Sequence, residues 1–147
     1  MSEIDIKSLR PALAEVERFI VWFNDEMSIG TKVVPIIGRR YRRNMLACFD
    51  ANSWTTREGE LVHAIELAAE GLNREPIEIL GSVAHEMVHL FAESRGIKDC
   101  ADSGRHNKKF QELAQDYGLV CEKKEGYSGY GYTAPSEGLR KRIEKEF

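Results

Sequence analysis

Pro76-Ile77-Glu78-Ile79-Leu80-Gly81-Ser82-Val83-Ala84-His85-Glu86-Met87-Val88-His89-Leu90-Phe91-Ala92-Glu93-Ser94-Arg95 is the stretch whose reading decides the fold. Pro76 suits the first turn of a helix, and Gly96 supplies its stop, so the spacing predicts one helix from 76 to about 95. Ile79, Leu80, Val83, Met87, Leu90 and Phe91 recur at three- and four-residue steps and define a wide apolar face. His85 and His89 point away from the centre of that face, beside Gly81, Ser82 and Ala92. These small residues are expected to leave room above the two imidazoles.

Within the helix, His85-Glu86-Met87-Val88-His89 is an HExxH pattern. Residues four apart on a helix lie on one face, with Cβ atoms about 5–6 Å apart. Two imidazoles at that spacing converge on one tetrahedral ion at about 2.0–2.1 Å. Glu86, turned about 100° around the helix, stays out of the ligand set and is placed to take a proton from an activated water. A surface glutamate would ordinarily find a salt-bridge partner. Ser82, Val83, His89 and Leu90 occupy the helical neighbour positions of Glu86, and none is cationic.

A catalytic zinc takes three protein ligands and keeps one position open. The extended pattern with a third histidine six residues on is absent, because Arg95 stands there. Asp99, Asp102 and His106 follow as candidates, with Cys100 a softer option. His106 fits best of these, since it comes 17 residues after His89, beyond a Gly-containing loop and at the start of a further amphipathic segment. Phe110, four residues later, is expected to pin that segment to the core. His63 lies in a strand-like run and reads as structural.

Working outward, an upstream amphipathic helix carries Leu13, Val16, Phe19, Ile20 and Phe23, with Ser8 as the expected cap and Pro11 in the first turn. Short β-branched and aromatic runs at 33–37, 46–54 and 61–67 predict strands, the last two joined as a hairpin through residues 55–60. Pro35 makes the first run an edge strand or the beginning of one. Downstream, Phe110, Leu113, Ala114 and Tyr117 mark another helix, and a charged helical piece closes the chain. The expected fold class is α+β, a small zincin-like single domain over residues 1–147. It has an N-terminal helix, a short antiparallel-type sheet, the HExxH helix, and a following helix carrying the third ligand.

Composition sets the outer limits. With 42% hydrophobic and 31% charged residues, the 147-residue chain can form a real core. A net charge of −3 excludes a protein that grips nucleic acid with its whole surface. Three scattered cysteines make neither a disulfide framework nor a CxxC ribbon. The longest apolar run, 19–23, is too short for a bilayer, and no signal region opens the chain, so a cytoplasmic address without membrane contact is expected. Arg39, Arg40, Arg42 and Arg43, around Tyr41, form a local basic run that could contact DNA phosphates and a base; a solvated charged face explains the same residues.

The HExxH stretch followed by Gly104-Arg105-His106-Asn107-Lys108-Lys109-Phe110 resembles the SprT-like metallopeptidase domain, which includes the Spartan proteases. Trp54, the Glu66-Leu67-Ala68 strand end and Tyr130-Gly131-Tyr132-Thr133 are similar too, particularly to versions from phages and mobile elements. The likeness covers roughly residues 5–140. It implies that His85, His89 and His106 hold Zn2+, that Glu86 is the catalytic acid/base, and that the substrate is protein, including DNA-associated protein. Many relatives continue into a cysteine-rich zinc ribbon. The sequence stops at Phe147 before any such module, so no DNA-binding role of a ribbon is carried over. Tyr127, Tyr130 and Tyr132 are candidate oxyanion donors, although simple packing accounts for each equally well. Two rival readings stand beside the peptidase. One is a non-catalytic zinc-braced module that binds DNA or protein, with Cys100 or Asp102 as fourth ligand. The other is a zinc hydrolase acting on a different bond.

Overall fold

A computed structural model describes residues 9–39, 45–122 and 129–147. Helix α1 (Arg10–Met27) carries Pro11 in its first turn; its N-cap is Leu9, without a side-chain cap, and Ser8 lies outside the described residues. Val16, Phe19, Ile20, Phe23 and Met27 form its buried stripe. Strands β1 (Val33–Gly38), β2 (Ala47–Thr55) and β3 (Leu61–Ala68) follow. Then come a 3-10 turn at Ala69–Gly71 and helix α2 (Pro76–Ser94). Helix α3 (Lys108–Asp116), strands β4 (Leu119–Glu122) and β5 (Tyr132–Pro135), and helix α4 (Glu137–Glu146) complete the order. The described residues are thus mixed α+β.

The three-stranded sheet corrects one expectation. Its order is β1-β3-β2; β2 pairs antiparallel with β3, but β1 pairs parallel, from Val33 opposite His63 to Gly38 opposite Ala68. The expected antiparallel-type sheet is therefore mixed. The reason lies in β3, the most buried strand, with Val62, Ala64, Ile65, Leu67 and Ala68 all inside. It takes the centre, and the hairpin from β2 occupies one of its sides. β1 is left the far side, in the opposite sense to β2. Pro35, which has no N–H to donate, sits on that edge strand as expected. In β2 the register shifts between Asp50 and Trp54, where Asn52 adopts φ 51° and its N–H donates to His63 Nδ1 at 3.1 Å. His63 therefore serves the bulge.

Helix α2 lies at the centre of the packing. Glu75 and Glu78 close a reciprocal capping box at its start, and Gly96 follows its end at φ 65°. Leu80, Val83, Met87, Val88 and Leu90 join the α1 stripe, Ile65, Leu67, Phe110, Leu119, Leu139 and Ile143 in one hydrophobic cluster. Strand β5 crosses α2 at Gly81, where an added Cβ would stand 2.9 Å from the ring carbons of Pro135. Gly81 is small to admit β5, not to leave space above the imidazoles. No helix among the described residues is long and apolar enough to cross a membrane.

Candidate metal centre

Three imidazoles from two segments meet at one point. His85 and His89 project from α2, and the Nε2–Nε2 distances are 3.3 Å between them, 3.2 Å from His85 to His106 and 3.0 Å from His89 to His106. Ligand atoms about 2.0–2.1 Å from a tetrahedral ion stand about 3.3–3.4 Å apart, so the triangle has the size of one face of a zinc tetrahedron.

His106 arrives by a local device. Cys100 and His106 pair in an isolated antiparallel bridge, Ala101 N–H donates to Arg105 O at 2.8 Å, and Gly104 turns the chain at φ 83°. The expected polar loop is thus a small hairpin. His106 stands at its end, two residues before α3 and not on that helix. Asn107 fixes the junction: its carboxamide oxygen accepts the Phe110 N–H at 3.2 Å, and its amide donates to Lys98 O at 2.9 Å.

Phe110, fully buried, does more than pin α3. Its ring stacks on His89 (centroids 4.7 Å, 23°) and lies 4.9 Å from His85 and 4.6 Å from His106. One aromatic plate backs all three imidazoles.

The outer nitrogens are held as well. His89 Nδ1 lies 2.6 Å from an Asp99 carboxylate oxygen, and His85 Nδ1 lies 2.8 Å from Thr133 Oγ1 on β5. His106 Nδ1 is buried and has no hydrogen-bond partner among the described residues. Burial, reinforced by His89 and His106, holds the His85 pKa well below its ordinary value; burial and His89 push His106 down to about 4. Burial also disfavours charge on His89, but the Asp99 hydrogen bond and the nearby Glu86 and Asp99 charges together raise it. When the Asp99 carboxylate accepts a hydrogen bond from Nδ1–H, the neutral form of His89 turns its Nε2 lone pair inward. Neutral rings whose lone pairs converge at about 3 Å repel one another unless a cation lies between them. The donor set and the oriented outer shell therefore fit a metal ion, and the three histidines are close enough together to hold one.

Glu86 is buried, and its carboxylate is held from a different direction. One oxygen accepts the backbone N–H of Phe49 on β2 at 2.8 Å; the other lies 4.0 Å from His85 Nε2. Burial raises its pKa, against the opposing pull of His89 and the Phe49 N–H. Unlike Asp99, it is not hydrogen-bonded to an imidazole among the described residues.

These groups line a cleft of about 690 Å³, together with residues 45–49, Ser82, Glu93, Asp99, Cys100, Gly104 and residues 131–133. The edge of β2 runs along it. Ala68 N–H donates to Leu46 O, so the ladder bonds of β2 fall on its even-numbered residues here, and Ala47 and Phe49 direct their backbone groups away from β3.

Among the other expected residues, Asp102 is an exposed partner of Lys98 and stands outside the site. Asp99 is in the site as the carboxylate behind His89. Cys100 lines the cleft beside Asp99, and burial together with the Asp99 charge holds its thiol up at about 11. Tyr132 lines the cleft, whereas Tyr130 packs against the core; Tyr127 lies outside the described residues. Arg39 is exposed at the end of β1, and Arg40, Tyr41, Arg42 and Arg43 lie outside the described residues. Sequence reasoning missed Phe49 N–H, which has no side-chain signature, and the role of Thr133. No family model matches the chain, and no curated protein or solved structure matches it.

Proposed function

We propose that this chain is a zinc-dependent metallopeptidase of zincin-like architecture. His85, His89 and His106 hold the metal and Glu86 is the general base. The observation that carries the reading is the triangle of Nε2 atoms, 3.0–3.3 Å apart, with the unpaired side of a buried carboxylate 4.0 Å from it in an open cleft. A purely bracing site is enclosed by four protein ligands. Among the described residues three side chains converge here, and the fourth direction faces the cleft.

Zinc bound there supplies Lewis acidity, activating water as a nucleophile near neutral pH and polarising a carbonyl. Glu86 takes the proton of the attacking water on its free oxygen and later delivers it to the leaving amine. Its raised pKa suits both transfers, since the proton has to be accepted and then released. The Phe49 N–H keeps the second oxygen fixed, so the carboxylate cannot swing into the ligand set. An extended peptide suits the site because the outward backbone of Ala47 can pair with it along the cleft. Tyr132 is the described tyrosine that reaches the cleft as an oxyanion donor.

The deciding experiment measures zinc per chain and cleavage of an unfolded protein, with and without DNA, for the native chain and Glu86→Gln. One zinc in both, with cleavage lost only in Glu86→Gln, is the expected result. One zinc and no cleavage by either chain, under all conditions, removes the peptidase and leaves a binding module.

A further inference from the structure

The side of His89 that faces away from the triad carries its own set of ligating atoms. A His89 ring nitrogen, an Asp99 carboxylate oxygen and Cys100 Sγ all lie within 4.8 Å of one another. His89 Nδ1 and Asp99 are already in contact at 2.6 Å, and Cys100 follows Asp99 directly in the chain. Both loop residues line the cleft, so a dissolved ion can reach them. Asp102, three residues beyond Asp99, is taken up by Lys98 and points elsewhere.

We propose that Asp99, Cys100 and the Nδ1 face of His89 form a second, weaker site for a soft divalent cation, filled when metal is in excess. A thiolate, an imidazole nitrogen and a carboxylate together suit zinc or cadmium and disfavour magnesium or calcium. Binding is an exchange of protons for metal without any redox change: the thiol proton of Cys100 and the Nδ1 proton of His89 pass to solvent as the cation takes their places. The Asp99 carboxylate turns from His89 to the ion. Tetrahedral ligation requires the three atoms to close to about 3.3–3.8 Å from one another, given metal–ligand lengths of about 2.0–2.3 Å. The three atoms, all within 4.8 Å of one another, must move to that spacing, and the Asp99–His89 hydrogen bond must break. Both costs place this site below the histidine triad in affinity. Its occupation takes from His89 the partner that orients it, so metal above one equivalent perturbs the first centre through their shared residue. The proposal rests on reading the triad as a metal centre, but not on peptidase activity.

Cadmium titration of the metal-free full chain tests it, with bound metal counted by equilibrium dialysis and thiolate ligation read from the ligand-to-metal charge-transfer band in the ultraviolet. The first equivalent is expected to bind without a thiolate band and the second with one. Cys100→Ser, which removes the thiol and nearly keeps the side-chain size, should retain the first equivalent and lose the band. Asp99→Asn should weaken the second step at least tenfold. A single equivalent without a band overturns the second site and leaves the triad intact. A band already present in the first equivalent overturns it as well, because Cys100 then belongs to the primary centre. A band that survives in Cys100→Ser assigns the thiolate to Cys48 or Cys121, with the same consequence. No uptake at all removes the triad reading and this one with it.

Discussion

Replacing Asp99 by alanine removes the carboxylate from His89 Nδ1, a contact of 2.6 Å between side chains only 15% and 16% exposed. A charge-assisted hydrogen bond of this kind contributes about 1.5–3 kcal/mol. Loss of a carboxylate behind a ligating imidazole commonly weakens metal binding 10–100-fold, about 1.4–2.7 kcal/mol, so the two ranges agree. For Asp99→Ala we expect zinc affinity to fall by about that factor, measured by competition against a chromophoric chelator. Asp99→Asn keeps an acceptor oxygen without the charge and should fall between alanine and the native chain. Thermal melts of the metal-free variants separate this effect from general unfolding, because on the proposed reading the carboxylate acts on a ring that would receive the metal. A zinc affinity for Asp99→Ala within twofold of native would refute the reasoning. So would a deficit fully explained by loss of metal-free stability.

Other outcomes follow from the same geometry. Phe110→Ala empties the plate behind three imidazoles and should cost about 3–5 kcal/mol of stability together with metal affinity; a destabilised variant that binds zinc normally once folded would show that the ring only fills space. Gly81→Ala forces β5 away from α2 and should cost about 1–3 kcal/mol, read as a lower melting temperature; a change under about 0.5 kcal/mol contradicts the tight approach. Chelation should destabilise the chain: free zinc at about 1,000 times its Kd adds about 4 kcal/mol, or on the order of 8–16 °C, and calorimetry with and without chelator should show a gap of that size.

Much of this arrangement is legible in the sequence because it is local. The helical period around His85 and His89, the α1 stripe, the β2–β3 hairpin and the edge position of Pro35 each follow from residues within one element. His106 could be singled out by its distance along the chain and its donor chemistry. What the sequence hides is non-local or belongs to the backbone. Phe49 reaches Glu86 through a peptide N–H that any residue could supply. Strand direction is equally silent, since a short apolar run such as Val33-Val34-Pro35-Ile36-Ile37 pairs either way, and the neighbour is settled by which strand is most buried. Gly81 misled because smallness at a helix surface reports only that something comes close; here it was Pro135.

The partners of α2 are scattered along the chain. Glu86 is anchored 37 residues away, His85 meets His106 21 residues on and Thr133 48 residues on. Each contact closes a loop whose entropy is lost before the contact contributes anything. An isolated helix bearing HExxH has only two of the donors and neither the plate nor the backbone anchor for its glutamate. On the proposed function, metal capture and proton transfer would therefore become available together, at the end of assembly. Half-folded chains, during synthesis or after thermal damage, are poor at both. If the chain is the hydrolase proposed above, the order in which it closes upon itself would restrain that centre without a separate inhibitor.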